Sequence, residues 1–401
     1  MCPKPAIPKR PPPAVSVPPA PGTPRRPTLA VARRLARCAL LLACGGGAAH
    51  GLAPPAAAQA TVIVSPGESI QAAVDGAAPG TLIQLRPGTY NEGVVVRKSG
   101  ITLQGAGITE TILDGTGLTA ENGIYVEDAS NVTIENLAVR GFTTNEILIG
   151  DRNRAGSGGS GHVVRGTLTS GGAEYGIGVF QATGVRVEAN DATLSLIGLY
   201  VGRMKDCQCV LADNDASGNL SLGILVAAVG NIVVERNVVA DNNVGIFALQ
   251  GEPGIVIRDN EAHANSRGME IGATDGVAIY GNTVAANNRP STEPADHPPG
   301  TGIALLGSSG ARVSFNTITG HTDAGILAVR QTVWKGGTTS TDNRLCPNRL
   351  SGNAADLRLD AFSPSNRAYC IVLSWLGTGR EARAGAARMV PPRGFEPRFS
   401  P

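Results

Sequence analysis

A glycine followed by an apolar residue returns along the chain at Gly176, Gly198, Gly223, Gly245, Gly268, Gly302 and Gly325, at intervals of 22, 25, 22, 23, 34 and 23 residues. A second column keeps step with it. Asn190, Asn214, Asn237, Asn260, Asn282 and Asn316 close the phrases VRVEAN, CVLADN, IVVERN, IVIRDN, VAIYGN and RVSFN. A third column lies five residues further on, at Asn219, Asn242, Asn265, Asn287 and His321. The one long interval contains RPSTEPADHPP (289–299). Three columns in step over successive turns leave little choice of fold, because self-similarity at this period is the mark of a stacked repeat.

A unit of 22–23 residues holds three short strands and three turns, and it cannot bury its apolar side alone. Stacked units pair in parallel, each strand about 4.8 Å above its predecessor. Alternation sends Val, Ile and Leu inward and piles like side chains into columns. Asn repeated at one turn bonds to the Asn and backbone above and below, so a buried polar row is satisfied. Glycine opens the strand where the chain bends sharply. The expected fold is all-β, a single-stranded solenoid with three strands per coil and roughly ten coils. With 53 Gly and 4% aromatics, the composition suits a glycine-punctuated β protein better than a helical one.

The stretch SIQAAVDGAAPGTLIQLRPGTYNEGVVVRKSGITLQGAGITETILDG (69–115) resembles the opening of right-handed parallel β-helix proteins of the pectin-lyase-like superfamily. The resemblance covers roughly residues 61–376 and implies a right-handed winding. It makes Ser69–Val74 a short amphipathic helix that plugs the N-terminal end of the core, with PGTY (87–90) and ITLQG (101–105) opening the first coils. It is specific for the fold and not for an activity, since that superfamily includes lyases, hydrolases, esterases, epimerases and non-enzymes.

The ends of the chain read differently. Residues 1–60 carry eight Lys/Arg and no acid. Within them a basic flank, a short apolar run and Ala58-Gln59-Ala60 have the form of a cleaved export signal behind a Pro-rich preface. The apolar run is too short to span a bilayer, so no transmembrane segment is expected in the mature chain. Leu41-Leu42-Ala43-Cys44 offers a second reading, lipoprotein anchoring at Cys44. The expected location is therefore exported: periplasmic, extracellular or on the cell surface. Residues 377–401 lack the repeat, and Gly394-Phe395-Glu396-Pro397 matches the translated complement of a tRNA TΨC arm, so this tail reads as disordered read-through. Without both ends the body, 61–376, has a net charge of −9, which argues against a nucleic-acid partner. It also disfavours polyanionic sugars unless a divalent cation such as Ca2+ bridges them. Export makes a Cys346–Cys370 disulfide reasonable. Cys207-Gln208-Cys209 lacks the second pair that a zinc site needs and reads equally as buried small residues, so no metal site is assigned.

In enzymes of the resembled superfamily the chemistry sits outside the strand that begins at the Gly-Ile step. With the residue after glycine inward, the outer row is Tyr125, the irregular coil near Leu148, Gly178, Tyr200, Leu225, Phe247, Glu270, Ala304 and Leu327. Neither the paired carboxylates of a glycosidase nor an Asp cluster for calcium-assisted proton abstraction occurs there. The epimerase phrase Tyr-Gly-x-Asp-Pro-His meets only Tyr175-Gly176, followed by Ile177-Gly178-Val179, and the lyase and polygalacturonase phrases have no counterpart. Ser160-Gly161-His162 lies in a glycine-rich insertion that reads as flexible loop.

The insertions 289–300 and 331–343 flank neighbouring coils on opposite sides of one outer face and would wall a cleft. Loops on a rigid scaffold are where function concentrates. Glu270, Asp296, His297 and Lys335 are its candidate catalytic residues, with Asp275 beside them. Tyr125, Tyr200, Phe247, Arg330 and Trp334 are candidates for substrate binding, their rings able to stack on sugars. The bland readings stand beside these: Glu270 as a solvated surface acid, His297 as loop filler, His321 as a hydrogen-bonding turn residue in an Asn column, and Glu235 with Arg258 as a cross-strand ion pair. Two functions are expected from this pattern. One is an exported protein that binds or modifies a polysaccharide or cell-envelope glycan by lyase, hydrolase or epimerase chemistry. The other is a non-catalytic cell-envelope scaffold.

Overall fold

The structure, a computed structural model, describes residues 59–291, 299–331, 338–363 and 365–368. Cys44 and the rest of the leader up to residue 58, Asp296, His297, Trp334, Lys335, Cys370 and the tail 377–401 lie outside the described residues.

Each coil contributes one strand to each of three faces, as expected from the spacing. In the coil around Asn237 these strands are Ile232–Glu235, Val238–Ala240 and Val244–Leu249. All strand pairs are parallel. The first face stacks eleven strands from Thr61–Val64 to Arg312–Ser314, and the Gly-Ile face stacks eleven from Val94–Val96 to Leu357–Leu359. The third face is narrower. It consists of two five-stranded sheets joined by single-residue bridges from Asp191 to Asp215 and from Asp215 to Val238. The solenoid is therefore a parallel β-helix.

Inside it, the residue after each glycine forms a continuous file: Ile177, Leu199, Ile224, Ile246, Met269, Ile303 and Ile326 lie in direct register on successive strands and are fully buried. Each such side chain contributes about 2 kcal/mol of transfer free energy. A seven-residue helix, α1 (Ile70–Gly76), closes the N-terminal end with Ile70 and Val74 in the core. Its start is fixed by Ser69, whose hydroxyl accepts from the Ala72 N–H, and by Glu92, whose carboxylate accepts from the N–H of Ile70 (2.6 Å).

The asparagine columns are hydrogen-bonded files. Asn237 Oδ1 accepts from the backbone N–H (3.0 Å) and side-chain amide (2.8 Å) of Asn214, while its own Nδ2 donates to Leu211 O (3.0 Å) and Asn260 Oδ1 (2.9 Å). The same pattern links Asn190, Asn214, Asn237, Asn260, Asn282 and Asn316. The file runs one coil beyond the expected end, to Asn348, and is closed at its other end by Thr167, which donates to Asn190 Oδ1. The residue before each file member (Ala189, Asp213, Arg236, Asp259, Gly281 and Phe315) has a positive φ. That conformation costs about 1 kcal/mol for a residue with a side chain, and the ladder bonds hold it. It also turns Phe315 out to solvent, 73% exposed. In the second column His321 replaces Asn, as expected: its Nε2 meets Asn287 Nδ2 (3.2 Å) and its Nδ1 meets Asn353 Oδ1 (2.9 Å).

The glycine column has a steric cause. A Cβ on Gly245 or Gly268 would lie 2.6 or 2.5 Å from the carbonyl oxygen of the glycine one coil further on. Two coils break the rule: Asp356 stands beside Gly325 on the terminal strand, and Asn145 pairs with Tyr175 and Ile147 with Ile177, so Glu146 occupies the glycine position below Gly176. Its side chain is fully buried, and its carboxylate fills the corner that Asn residues occupy in later coils. There Gly172 is bare, and a Cβ on it would sit 2.0 Å from Glu146 Oε2. Burial lifts the Glu146 carboxyl to about 8, against a weaker pull from backbone N–H groups including that of Gly172.

Two local readings change. Cys207 and Cys209 are joined as a disulfide; Gln208, at φ 51°, turns the chain so that their Cα atoms are 5.0 Å apart. Neither metal ligation nor simple burial described that pair. Cys346 is also disulfide-bonded, whereas Cys370 lies outside the described residues. The glycine-rich insertion is pinned at its end by His162, which is fully buried. His162 Nε2 meets Gly158 O at 2.7 Å, and its Nδ1 accepts from the Val132 N–H, fixing the neutral Nε2–H form. Glu235 and Arg258 form the expected cross-strand ion pair, with Arg236 closing on the same carboxylate at 2.6 Å.

Candidate functional site

The outer row of the Gly-Ile face is as alternation predicts. Tyr125, Leu148, Gly178, Tyr200, Leu225, Phe247, Glu270, Ala304 and Leu327 are direct neighbours on consecutive strands. Much of this row is covered. Tyr200 (6% exposed) and Phe247 (9%) pack with Phe180, Ile197, Leu222 and Val244 in an apolar cluster separate from the core. Tyr125 is half-buried, and burial together with the charges of Glu127 and Asp151 pushes its phenol up to about 12.

Around the expected insertion cleft, the described candidates each have a local partner. Glu270 is 5% exposed, and its Oε1 lies 2.7 Å from Nε of Arg267, itself 3% exposed. Asp275 accepts from the Ser309 N–H (2.8 Å). Arg330 donates its backbone N–H to Asp360, with its guanidinium 5.5 Å from the ring centre of Phe362. A charge pair so deeply buried is coupled. In a double-mutant cycle, Arg267→Met and Glu270→Gln should each destabilise the protein. The double variant should be less destabilised than their sum by about 2 kcal/mol in urea unfolding; additive losses would show the pair to be energetically idle.

The cavity with the most chemistry lies four to six coils before Glu270 on the same face. From Asn145 to Tyr175 the register steps 30 residues instead of 23, because the chain makes an extra excursion after Ile149. That excursion, 150–157, is tied down by Gln181, which donates to the carbonyls of Asp151 and Arg152, by Arg203, which donates to Arg152 O (3.1 Å), and by Ser157, whose hydroxyl accepts from the Asp151 N–H (2.7 Å). Between it and the sheet is an open cavity of about 320 Å³, lined among others by Glu121, Asn145, Asp151, Arg152, Tyr175 and Phe180. Phe180 stacks on Tyr200 with centroids 4.5 Å apart, and Tyr175 lies 5.6 Å from Phe180. The Arg152 guanidinium sits over both Tyr175 (5.9 Å) and Phe180 (5.5 Å) and is paired with Glu174. Burial raises the phenols of Tyr175 and Tyr200, and the Tyr175 hydroxyl accepts from the Arg152 guanidinium (3.3 Å).

This site combines an apolar ring surface, one guanidinium, amides and carboxylates; neither His nor Lys lines it. The positions that the epimerase phrase fills with Asp and His are Gly178 and Phe180 here. Among the described residues, no three His, Cys, Asp or Glu side chains gather as a metal-holding group, and no helix is long and apolar enough to cross a membrane. From the sequence, Tyr200 falls in the outer row, but nothing there assigns Arg152, Tyr175 or Phe180 to a site. The available signal was Phe180, two residues beyond Gly178 and hence on the outer side.

The coiling and the buried Asn files define a right-handed parallel β-helix of the pectin-lyase-like fold. The chain belongs to the family described as the right handed beta helix region, whose model matches residues 92–261, 197–345 and 248–372. No curated protein matches it in sequence. Among solved structures it is similar to the A-module of a mannuronan C-5 epimerase of Azotobacter vinelandii, with a TM-score of 0.57 at 18% identity, covering 75% of this chain and 95% of that one. It is also similar to the DFA-IIIase of Arthrobacter chlorophenolicus in complex with GF2 (TM-score 0.52, 16% identity, 73% and 84% covered). A third likeness is to a mannuronic acid specific polysaccharide family 6 lyase from human gut microbiota (TM-score 0.50, 13% identity, 76% and 83% covered). At these identities the likeness is one of fold.

Proposed function

We propose that this protein is exported and binds a polysaccharide across the cavity between the 150–157 excursion and the ring cluster of Tyr175, Phe180 and Tyr200. The observation that carries the reading is the open cavity in which Arg152 lies over two aromatic rings beside hydrogen-bonding amides and carboxylates. Flat rings meet the C–H face of a sugar, and the polar rim meets its hydroxyls. That solved proteins of the same fold act on polysaccharides, as their descriptions state, is consistent with this use of the groove. Binding is favoured over catalysis because Gly178 and Phe180 supply no proton-transferring group where the epimerase phrase has its Asp and His.

The expected result is retardation of the full-length protein in gels containing a glycan it recognises. Tyr175→Ala should weaken that binding about tenfold, a loss of about 1.4 kcal/mol, without changing the circular dichroism of the fold. Undiminished binding by Tyr175→Ala would move the site elsewhere on the solenoid. The catalytic alternative assigns proton transfer to Glu270 with Asp296, His297 and Lys335, and substrate contact to Phe247, Arg330 and Trp334, with or without Ca2+. It requires unsaturated products or new reducing ends from a polysaccharide panel, lost in Glu270→Gln.

A further inference from the structure

We infer that the cavity takes an uncharged glycan and discriminates against polyuronates, an inference that rests on the binding reading above. Four ionisable side chains of Asp, Glu or Arg line the cavity: Glu121, Asp151, Arg152 and Glu174. The single guanidinium is already engaged. It is ion-paired with Glu174, within reach of the Tyr175 hydroxyl (3.3 Å), and centred 5.9 and 5.5 Å from the ring centres of Tyr175 and Phe180. Two neighbouring arginines are committed as well: Arg154 pairs with Glu127 and Asp128 outside the cavity, and Arg203 donates to the backbone of Arg152.

Pairing Arg152 with Glu174 leaves the carboxylates of Glu121 and Asp151 uncompensated, on a body whose net charge over 61–376 is −9. A uronate placed over Tyr175 would bring its own carboxylate beside these, and the cavity lining holds no cation besides the already paired Arg152. Like charges brought this close repel, most strongly at low ionic strength. A neutral hexose offers hydroxyl donors instead, and an ionised carboxylate is an acceptor with room for several of them. Thr144 and Asn153 on the rim extend the same hydroxyl chemistry. The inference sets this chain apart from relatives in fold described as acting on mannuronan and mannuronic acid.

The test uses the full chain in affinity gels with laminarin, hydroxyethyl cellulose, polymannuronate, polygalacturonate and chitosan, at low and high salt, with and without Ca2+. At least one neutral polymer should bind about tenfold or more tightly than either polyuronate at low salt, and the gap should narrow at high salt as screening shortens the reach of the carboxylates. Glu174→Gln, which frees Arg152, should shift the polyuronate-to-neutral affinity ratio upward by about fivefold. Polyuronate binding as tight as neutral binding, and sensitive to Tyr175→Ala, overturns the specificity while leaving the binding site in place. Chitosan binding tighter than every neutral polymer also overturns it. No retention by any of the five polymers overturns both the specificity and the binding reading.

Discussion

Asn237→Leu should destabilise the protein by roughly 4 kcal/mol, seen as a lower urea midpoint at unchanged slope. The estimate follows from what the side chain leaves behind. Asn237 is fully buried, and its loss removes the acceptor of the Asn214 N–H and of one of the two Asn214 Nδ2 hydrogens, a donor to the Leu211 carbonyl and one donor to Asn260; the other Nδ2 hydrogen keeps Val187 O. Each buried polar group without a partner costs about 1–3 kcal/mol. Leucine keeps the number of side-chain heavy atoms, so no cavity opens; the loss reports the hydrogen bonds together with the crowding of its bulkier methyl groups. The same change at the solvent-exposed Asn153 should be close to neutral. A loss below about 1 kcal/mol at Asn237 would mean that the apolar files alone hold the coils in register.

Glu146→Gln should have the other large effect, and its sign depends on pH. The acid titrates near 4.5 when exposed and at about 8 in the folded chain, where burial disfavours its charge. Below 4.5 both states carry the proton and folding costs nothing at this site. Between 4.5 and about 8 the unfolded chain releases the proton while the folded chain retains it, so stability falls as pH rises, by about 1.4 kcal/mol per unit. Glutamine does not titrate. The variant should therefore match the parent at pH 4 and exceed it by roughly 4 kcal/mol at pH 8.

Two buried histidines act in the opposite direction in both proteins. Burial lowers the pKa of His162 and of His321, so their contribution is present above their ordinary value of 6.5 and is lost as pH falls through the depressed folded value. Thermal denaturation from pH 4 to 9 should show the parent curve declining between about pH 6.5, above which the histidines no longer oppose it, and about pH 8, with the Glu146→Gln curve staying level there. Parallel curves would place Glu146 in contact with water.

Most of the fold could be read from the sequence because its cause is periodic. The Asn files require the same letter at the same corner, and the glycine column requires the absence of a Cβ beneath the next coil's carbonyl; both constraints recur every 22 or 23 residues and so are visible as spacing. The outer row then followed from alternation alone. The file was cut short at Asn316 because the next step, to Asn348, spans 32 residues across an insertion. The cavity was hidden for a related reason. The coil that builds it carries Glu146 where the column predicts glycine, and with that marker gone the 30-residue step to Tyr175 did not register as an insertion. Arg152, Tyr175 and Phe180 converge only through that excursion, and no repeat rule reaches residues that occur once.

The files have a direction. In every pair the amide nitrogen of one Asn donates to the oxygen of the Asn in the following coil, so the small dipoles along the stack all point the same way. Such a chain of bonds polarises itself and strengthens with length. It also makes the coil a modular unit: excising residues 237–259 would bring Asn260 onto the place of Asn237 with the same donor below and the same acceptor above. A protein built this way can shorten or lengthen its groove by whole turns over evolutionary time while both ends, and every bond within the stack, stay as they were.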